Sequence, residues 1–353
     1  MLAAVVLSAC GSSGPALGSP PHGPGTILLV GTGPSGGLGV DNTDLLAASP
    51  SGHVVDLTSS AAAEDDAAWS ADGSRVAFVR HSTSGQKNGG VALQVGIYVW
   101  SPGHGTPKRI ASCSKYCYGN EFAWSPDDRQ IAFTSPENGG VKVMNADGSD
   151  VHLVCECGGG IGGLRWSPDG RKLVFSNQYG WGWGPVNDPP SSVWIANADG
   201  SGAKRLTQQN CTSLADERDH DCARDTAPAW SPDGRLVAFS RWRLGRFPLA
   251  AGPTGAHGPT GTTKQSGPTQ PSITTSLEVM RADGSHLRSI YDCSERYCDQ
   301  FLPSVWAPDG KAIAYAPFAN DSAPSSFRIT TLAGKTTTIR TCAGSRCLSP
   351  TDL

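Results

Sequence analysis

Trp166-Ser167-Pro168-Asp169-Gly170, running on into Leu173-Val174-Phe175, is one of five copies of a single phrase. The others are Trp69-Ser70-Ala71-Asp72-Gly73, Trp124-Ser125-Pro126-Asp127-Asp128, Trp230-Ser231-Pro232-Asp233-Gly234 and Trp306-Ala307-Pro308-Asp309-Gly310. Each precedes a short β-rich run: Val76 to Phe78, Ile131 to Phe133, Val237 to Phe239, Ile313 to Tyr315. The copies stand 55, 42, 64 and 76 residues apart. Self-similarity on this scale marks one supersecondary unit stacked many times.

Within the phrase, Pro presets φ, Asp bonds its own backbone and Gly accepts positive φ, so it is a tight turn between strands. Around the fourth copy, Ala227 to Trp230 ends a strand and Leu236 to Ser240 returns. Leu277 to Met280 makes a third strand, Ala282-Asp283-Gly284 a second turn, and Leu287 to Ile290 a fourth strand. The same second half recurs at Val141 to Met144 with Ala146-Asp147-Gly148, and at Val193 to Ala196 with Ala198-Asp199-Gly200. Four short antiparallel strands per unit, with no helical periodicity between them, make a propeller blade. The expected fold is all-β: a six-bladed β-propeller of four-stranded antiparallel blades. Ile27 to Val30, Thr43 to Ala48 and His53 to Thr58 would be the second to fourth strands of the first blade. The phrase-like Leu348-Ser349-Pro350-Thr351-Asp352 would supply its first strand. Strands from both chain ends would then close the ring and leave no long open edge.

These repeats resemble the propeller repeats of the TolB family, which carry the same Trp-Ser-Pro-Asp-Gly signature. The resemblance covers nearly all of residues 26 to 350. It implies interactions with envelope proteins, such as peptidoglycan-associated partners. TolB places an α/β domain before its propeller and is a soluble periplasmic protein, whereas here only a short tether precedes the repeats. Related repeats also occur in peptidases, lyases and pure binding proteins, so fold and function are separate questions.

The chain of 353 residues has a net charge of −3 and only 17% charged residues, which gives no reason to invoke nucleic acid. Its 44 Gly and 26 Pro suit a turn-rich β protein. Leu7-Ser8-Ala9-Cys10 resembles a lipoprotein cleavage box, with Cys10 as the lipidated residue. The apolar run is too short to span a bilayer, and the basic start of a signal peptide is absent. Residues 1–10 are thus expected to be a signal peptide with lipobox, 11–25 a flexible Gly/Ser/Pro tether, and 26–353 the propeller. The protein would be an extracytoplasmic, membrane-anchored lipoprotein of the periplasm or cell surface, touching the membrane through its lipid only.

The other cysteines fall into sequence-local pairs: Cys113/Cys117, Cys155/Cys157, Cys211/Cys222, Cys293/Cys298 and Cys342/Cys347. Each lies between the fourth strand of one unit and the phrase of the next. An even count in an exported chain argues for disulfides, each worth about 2–3 kcal/mol on the chain-entropy model. Cys155/Cys157 is the doubtful pair, because a bridge between residues two apart is strained; pairing with a neighbouring loop is the alternative. A four-thiolate zinc site at Cys113, Cys117, Cys155 and Cys157 is the competing reading. It suits a reducing compartment, and no metal or cofactor is expected outside the cytosol.

In a propeller, the loops joining strands two and three and those joining blades emerge on one face. The long insertions, His81 to Val95, Asn177 to Pro190 and Arg241 to Ile273, all fall there, with the cysteine pairs. The opposite face carries Asp-Gly turns, expected to be too short to form a pocket. Binding function concentrates on loops held by a rigid scaffold. The candidate ligand-binding residues are Tyr179, Trp181 and Trp183 in a Gly-rich loop, and Trp242 and Arg243 in the basic-aromatic run Arg241 to Arg246. Exposed aromatic rings suit sugar faces or protein hot spots, and arginine suits an anionic group. Each set has a plainer reading: rings folded over a neighbouring blade, and a solvated strand continuation.

Asp216-Glu217-Arg218-Asp219-His220-Asp221 fits no calcium-loop spacing and reads as a solvated acidic loop. Gly31-Thr32-Gly33-Pro34-Ser35-Gly36 matches a dinucleotide fingerprint, and Gly33 to Gly37 a hydrolase elbow. Neither is followed by the helix its chemistry requires. No catalytic residue is assigned. The expected function is a non-enzymatic envelope-anchored binding protein that presents a propeller face to an envelope protein or glycan. The alternative is a propeller enzyme, lyase or hydrolase, acting on extracellular carbohydrate.

Overall fold

The signature turn closes as its residue types require. In the third copy Ser167 N donates to Lys172 O at 2.8 Å and Gly170 N to Ser167 O at 2.9 Å. The Ser167 hydroxyl donates to Asp169 Oδ1 at 2.6 Å and accepts from Lys172 N at 2.9 Å, while Arg171 N donates to the same carboxylate oxygen. Gly170 has φ 70°, the left-handed value that glycine takes without strain. The computed structural model describes residues 27–32, 43–49, 53–58, 62–85, 91–113, 121–135, 139–157, 160–178, 191–208, 223–244, 273–293, 300–301, 305–315, 317–318 and 325–342. Among these, every regular element is a strand.

The first unit is a three-stranded sheet of β1 (Ile27–Thr32), β2 (Thr43–Ala48) and β3 (Val54–Asp56). The second is β4 (Ala63–Trp69), β5 (Val76–Gly85), β6 (Val91–Ser101) and β7 (His104–Cys113), and the third is β8 (Phe122–Trp124), β9 (Gln130–Ser135), β10 (Gly140–Asn145) and β11 (His152–Cys155). The fourth unit comprises β12 (Gly160–Trp166), β13 (Lys172–Gln178), β14 (Ser191–Asn197) and the short β15 (Lys204–Arg205). The fifth comprises β16 (Ala223–Trp230), β17 (Leu236–Leu244), β18 (Ile273–Arg281) and β19 (Arg288–Cys293). One parallel pairing, Ser191 with Arg224, joins these two into an eight-stranded sheet. A two-stranded sheet of β20 (Gln300–Phe301) and β23 (Pro317–Phe318) flanks the last unit. That unit is β21 (Val305–Trp306), β22 (Ala312–Tyr315), β24 (Ser325–Thr331) and β25 (Thr336–Cys342). Pairing within every unit is antiparallel and in chain order, as the sequence implied.

The cores lie between consecutive units. Successive strand residues face opposite sides of a sheet, so Leu173 and Phe175 pack back onto Val141, Val143 and Val154 of the third unit. Val174 packs forward with Val193 and Ile195 against Trp230, Val237 and Phe239 of the fifth. The same alternation puts Val76 and Phe78 against Leu28 and Leu45, and Val79 and Ile97 against Phe122 and Ile131. It also sets Leu277 and Val279 against Trp306 and Ile313. Burial on both faces explains why these strands read as unbroken apolar runs.

The signature tryptophans tie neighbours together. Trp124 Nε1 donates to Ala68 O at 3.1 Å, Trp166 Nε1 to Ala123 O at 2.8 Å and Trp306 Nε1 to Ala229 O at 3.1 Å. Each acceptor is the residue just before the preceding copy's Trp. The turns also stack: a Cβ on Gly170, Gly234 or Gly310 would lie 3.6–3.7 Å from the Pro126, Pro168 or Pro232 ring of the copy before. Two adjacent copies depart in a matched way. Asp128 stands where the others have Gly, with φ 59°, and Ala71 stands where they have Pro. Ala71 therefore has an N–H, and it donates to Asp128 Oδ1 at 2.5 Å; Asp72 N donates to Oδ2 at 3.0 Å.

A bulge sits just before the signature Trp in β4, β12 and β16. Asp66, Gly163 and Ala227 occupy it with positive φ. At Gly163 the glycine is needed for space as well, since a Cβ there would come within 2.5 Å of Pro228 Cδ. Pro228 itself is accommodated in a strand because it falls in the bulge of β16.

Two boundaries differ from expectation. Much of the His81 to Val95 insertion is ladder, with β5 and β6 paired out to Gly85 and Val91. Arg241 to Leu244 likewise stay paired, with Ser276 to Ile273. Both polar stretches satisfy their backbone groups across the hairpin instead of looping away.

Candidate binding surfaces

Because β17 continues through Arg243, period-two alternation splits the basic-aromatic run between two faces. Arg241 and Arg243 share one face, and Trp242 lies on the other. Arg241 forms a two-pronged pair with Asp225, Nε to Oδ1 at 2.6 Å and Nη2 to Oδ2 at 2.8 Å. The carboxylate is fully buried and the arginine side chain is 11% exposed. Burial opposes the Arg241 charge, but the Asp225 hydrogen bonds and the charges of Asp225 and Glu278 outweigh it and hold its pKa above the ordinary value. Arg243 reaches Glu278 Oε1 at 3.3 Å and Ser276 Oγ at 3.2 Å, and Ser276 Oγ donates to the same Glu278 oxygen. Trp242 lies beneath the Arg224 guanidinium, 5.6 Å from its ring centre. Trp242 and Arg243 thus belong to a braced strand and not to one flexible recognition loop. Arg243 is 42% exposed and already engaged with Glu278.

The second unit repeats the brace. Arg80 Nε donates to the buried Glu64 Oε1 at 2.7 Å, and Thr58 Oγ1 donates to Oε2 at 3.0 Å. Arg80 and Arg241 both stand two residues beyond the core Phe of β5 and β17, each over its ring at 5.4 and 5.3 Å. Glu64 and Asp225 both stand five residues before the signature Trp. The sequence reading passed over this pair of pairs. Aligning the copies beyond the core run would have shown acid and base at matching places.

Tyr179, Trp181, Trp183, Cys10 and the acidic loop of 216–221 lie outside the described residues. So do Cys117, Cys211, Cys222, Cys298 and Cys347. Cys113, Cys293 and Cys342 end β7, β19 and β25. Cys155 and Cys157, the pair that looked doubtful, lie with Cα atoms 5.3 Å apart, and both are buried. Among the described residues, no group of three or more His, Cys, Asp or Glu comes together to hold a metal ion. No helix there is long and apolar enough to cross a membrane.

The turn face is not flat, contrary to the expectation from its short turns. Clefts of about 680 and 770 Å³ open there, between the fourth and fifth units and between the second and third. Their walls are the starts of the second strands, the fourth strands, and both turns of the following unit. The turn carboxylates are committed to their own loops. The Ser70 hydroxyl, with the Ser74 N–H and hydroxyl, pulls the Asp72 pKa down to about 2. Ser125, Ser167 and Ser231 lower Asp127, Asp169 and Asp233 in the same way. A depressed carboxylate stabilises the fold above its unfolded pKa of about 4 and loses that contribution as pH falls through the folded value. Stability should therefore fall between about pH 4 and 2. Ser167→Ala, which copies the natural Ala307, should make that acid transition shallower in urea titrations at stepped pH. An unchanged slope would show that the hydroxyl bond contributes nothing.

The units define an all-β protein of small antiparallel sheets packed in sequence. No protein-family model matches the chain, and no curated protein matches it at a significant level. Solved structures do. An oligogalacturonate lyase in complex with manganese aligns with a TM-score of 0.56 at 10% identity, covering 88% of this chain and 74% of that one. TolB from Acinetobacter baumannii aligns at 0.49 and 16% identity, covering 85% of this chain. This chain spans 60% of that TolB's length. A chain of a nidogen–laminin complex aligns at 0.49 and 12% identity, covering 85% and 89%. These neighbours are β-propeller proteins, and at such identities the likeness shows the fold alone.

Proposed function

We propose that the chain is a non-enzymatic binding protein, anchored outside the cytoplasm through Cys10, that presents its looped face to an envelope protein or glycan. The observation that carries this reading is the bracing at that end of the strands. Strands β5, β6, β17 and β18 run on past the apolar cores, and buried ion pairs fix their bases. Such rigidity suits loops that must be held in place for a partner. The scaffold is a ring of six four-stranded blades. Five cores linking six units in series support that count. Closure by both chain ends would give Trp69 Nε1, buried with no acceptor among the described residues, the kind of partner that Trp124, Trp166 and Trp306 find in the preceding unit, although Trp230 Nε1, inside the series, has none either. Among the described residues the first unit has three strands, and a first strand drawn from Leu348 to Asp352 would bring that acceptor.

Capture from envelope extract, followed by titration of the partner found, tests the reading. Trp181→Ala with Trp183→Ala, or Trp242→Ala with Arg243→Ala, should weaken binding roughly thirtyfold, the effect of losing a hot-spot aromatic. Asp169→Ala on the turn face should lower stability and leave binding by the folded fraction intact. Normal binding by both double variants, with loss in the turn variant, would place the partner on the other face. Cys10→Ser should release the protein from membranes; recovery of unmodified wild-type protein in the soluble fraction would remove the anchor.

A further inference from the structure

Four of the junctions between successive units can be compared position by position on the turn face, because the same repeat places line each one. The first residue of the fourth-strand segment is His152, Lys204 or Arg288 in the third, fourth and fifth units. His152 Nε2 contacts Ala198 O at 2.9 Å and Arg288 Nη1 donates to Leu332 O at 2.7 Å, clamping each strand onto the next unit's turn. Lys204 makes no such clamp, and the cleft there opens to about 680 Å³. Two residues before it stands Gly202, with φ 66°, where the neighbouring units carry Asp150 and His286 at similar positive φ. Gly202 lines the opening without a side chain.

Charge also singles out this cleft. Its four variable repeat places are all cationic: Lys172, Lys204, Arg235 and Arg281. The matching residues between the third and fourth units are Gln130, His152, Arg171 and Asn197, and between the fifth and last units Leu236, Arg288, Lys311 and Thr331. The cleft between the second and third units has Arg75, Lys108 and Arg129, but Asp127, Asp128 and Asp147 balance them. In the fourth–fifth cleft only two carboxylates, Asp233 and Asp283, stand against four cations, and Asp233 pairs with Arg235 at 3.8 Å. Among the described residues, Lys172 and Lys204 have no ion-pair partner. Between the cations lie Ile195, Ala196, Leu236 and Ala282, and no aromatic ring lines the cleft.

We propose that this cleft is a docking site for an acidic peptide segment of a partner protein, its carboxylates meeting the lysine and arginine rim and an apolar side chain entering between them. A sugar would be expected to find an aromatic platform, which is missing from the lining. The site is on the opposite face from the braced loops and stands or falls separately from them.

The test is fluorescence anisotropy of a labelled peptide of alternating glutamate and leucine against the full chain at low salt. Saturable binding that weakens as salt rises is expected. Lys172→Glu with Lys204→Glu should weaken it at least about tenfold, since like charges would now face the ligand. Gly202→Asp should weaken it too, by restoring the neighbours' side chain. Lys108→Glu in the balanced cleft should leave it unchanged, and the lysine variants should melt like the parent. Lack of saturable binding, or equal loss with Lys108→Glu, would overturn the proposal. Tighter binding of alginate than of the peptide, abolished by the same double substitution, would replace the peptide with an anionic glycan.

Discussion

Asp225→Ala is expected to destabilise the fold by about 3–5 kcal/mol, the usual result of stranding a buried charge. Asp225 is wholly buried and its two oxygens take up the Arg241 fork. Removing it leaves a guanidinium over Phe239 with Glu278 as its nearest remaining anion. The midpoint of urea unfolding should move accordingly. Replacing both partners, Asp225→Leu with Arg241→Met, should restore most of the loss, since an apolar pair of similar volume does not need a counter-charge. A single-variant cost below about 1 kcal/mol would mean that water reaches Arg241 and that the brace is weak.

Trp166→Phe and Trp230→Phe form the second experiment, and each is the other's control. Both indoles are almost buried, and both changes remove the same volume. Trp166 Nε1 bonds Ala123 O, whereas Trp230 Nε1 has no acceptor among the described residues. Trp166→Phe should therefore cost about 1–3 kcal/mol more, because it leaves a carbonyl without its partner while Trp230→Phe removes an unsatisfied donor. Equal losses would show that the inter-unit bond contributes nothing beyond packing.

The turns and strand order were legible because they depend on local chemistry. Pro, Asp and Gly at fixed offsets define a turn wherever they occur, and Leu-Val-Phe runs define doubly buried strands. The looped end was less legible. Arg241 to Arg243 looked like a recognition loop, since polar residues after a core run usually leave the sheet. That they stay depends on Asp225 and Glu278, which are distant in sequence and neighbours only once the hairpins pair. The clefts of the turn face were missed for a related reason. A short turn makes no pocket alone, but the turns of one unit set against the strand ends of the unit before it do.

The exchange at Ala71 and Asp128 makes the repeats ordered rather than interchangeable. A unit with aspartate at the glycine place needs a unit with a free N–H before it. Set behind Pro126, Pro168 or Pro232, the Asp128 carboxylate would face a ring with no hydrogen to offer. Adjacent units therefore carry a lock and key in their turns, and the third can follow only the second. In a gene assembled by duplicating one module, such a mark would penalise any shuffling, deletion or recombination that changed the succession, and so would preserve the serial identity of each copy.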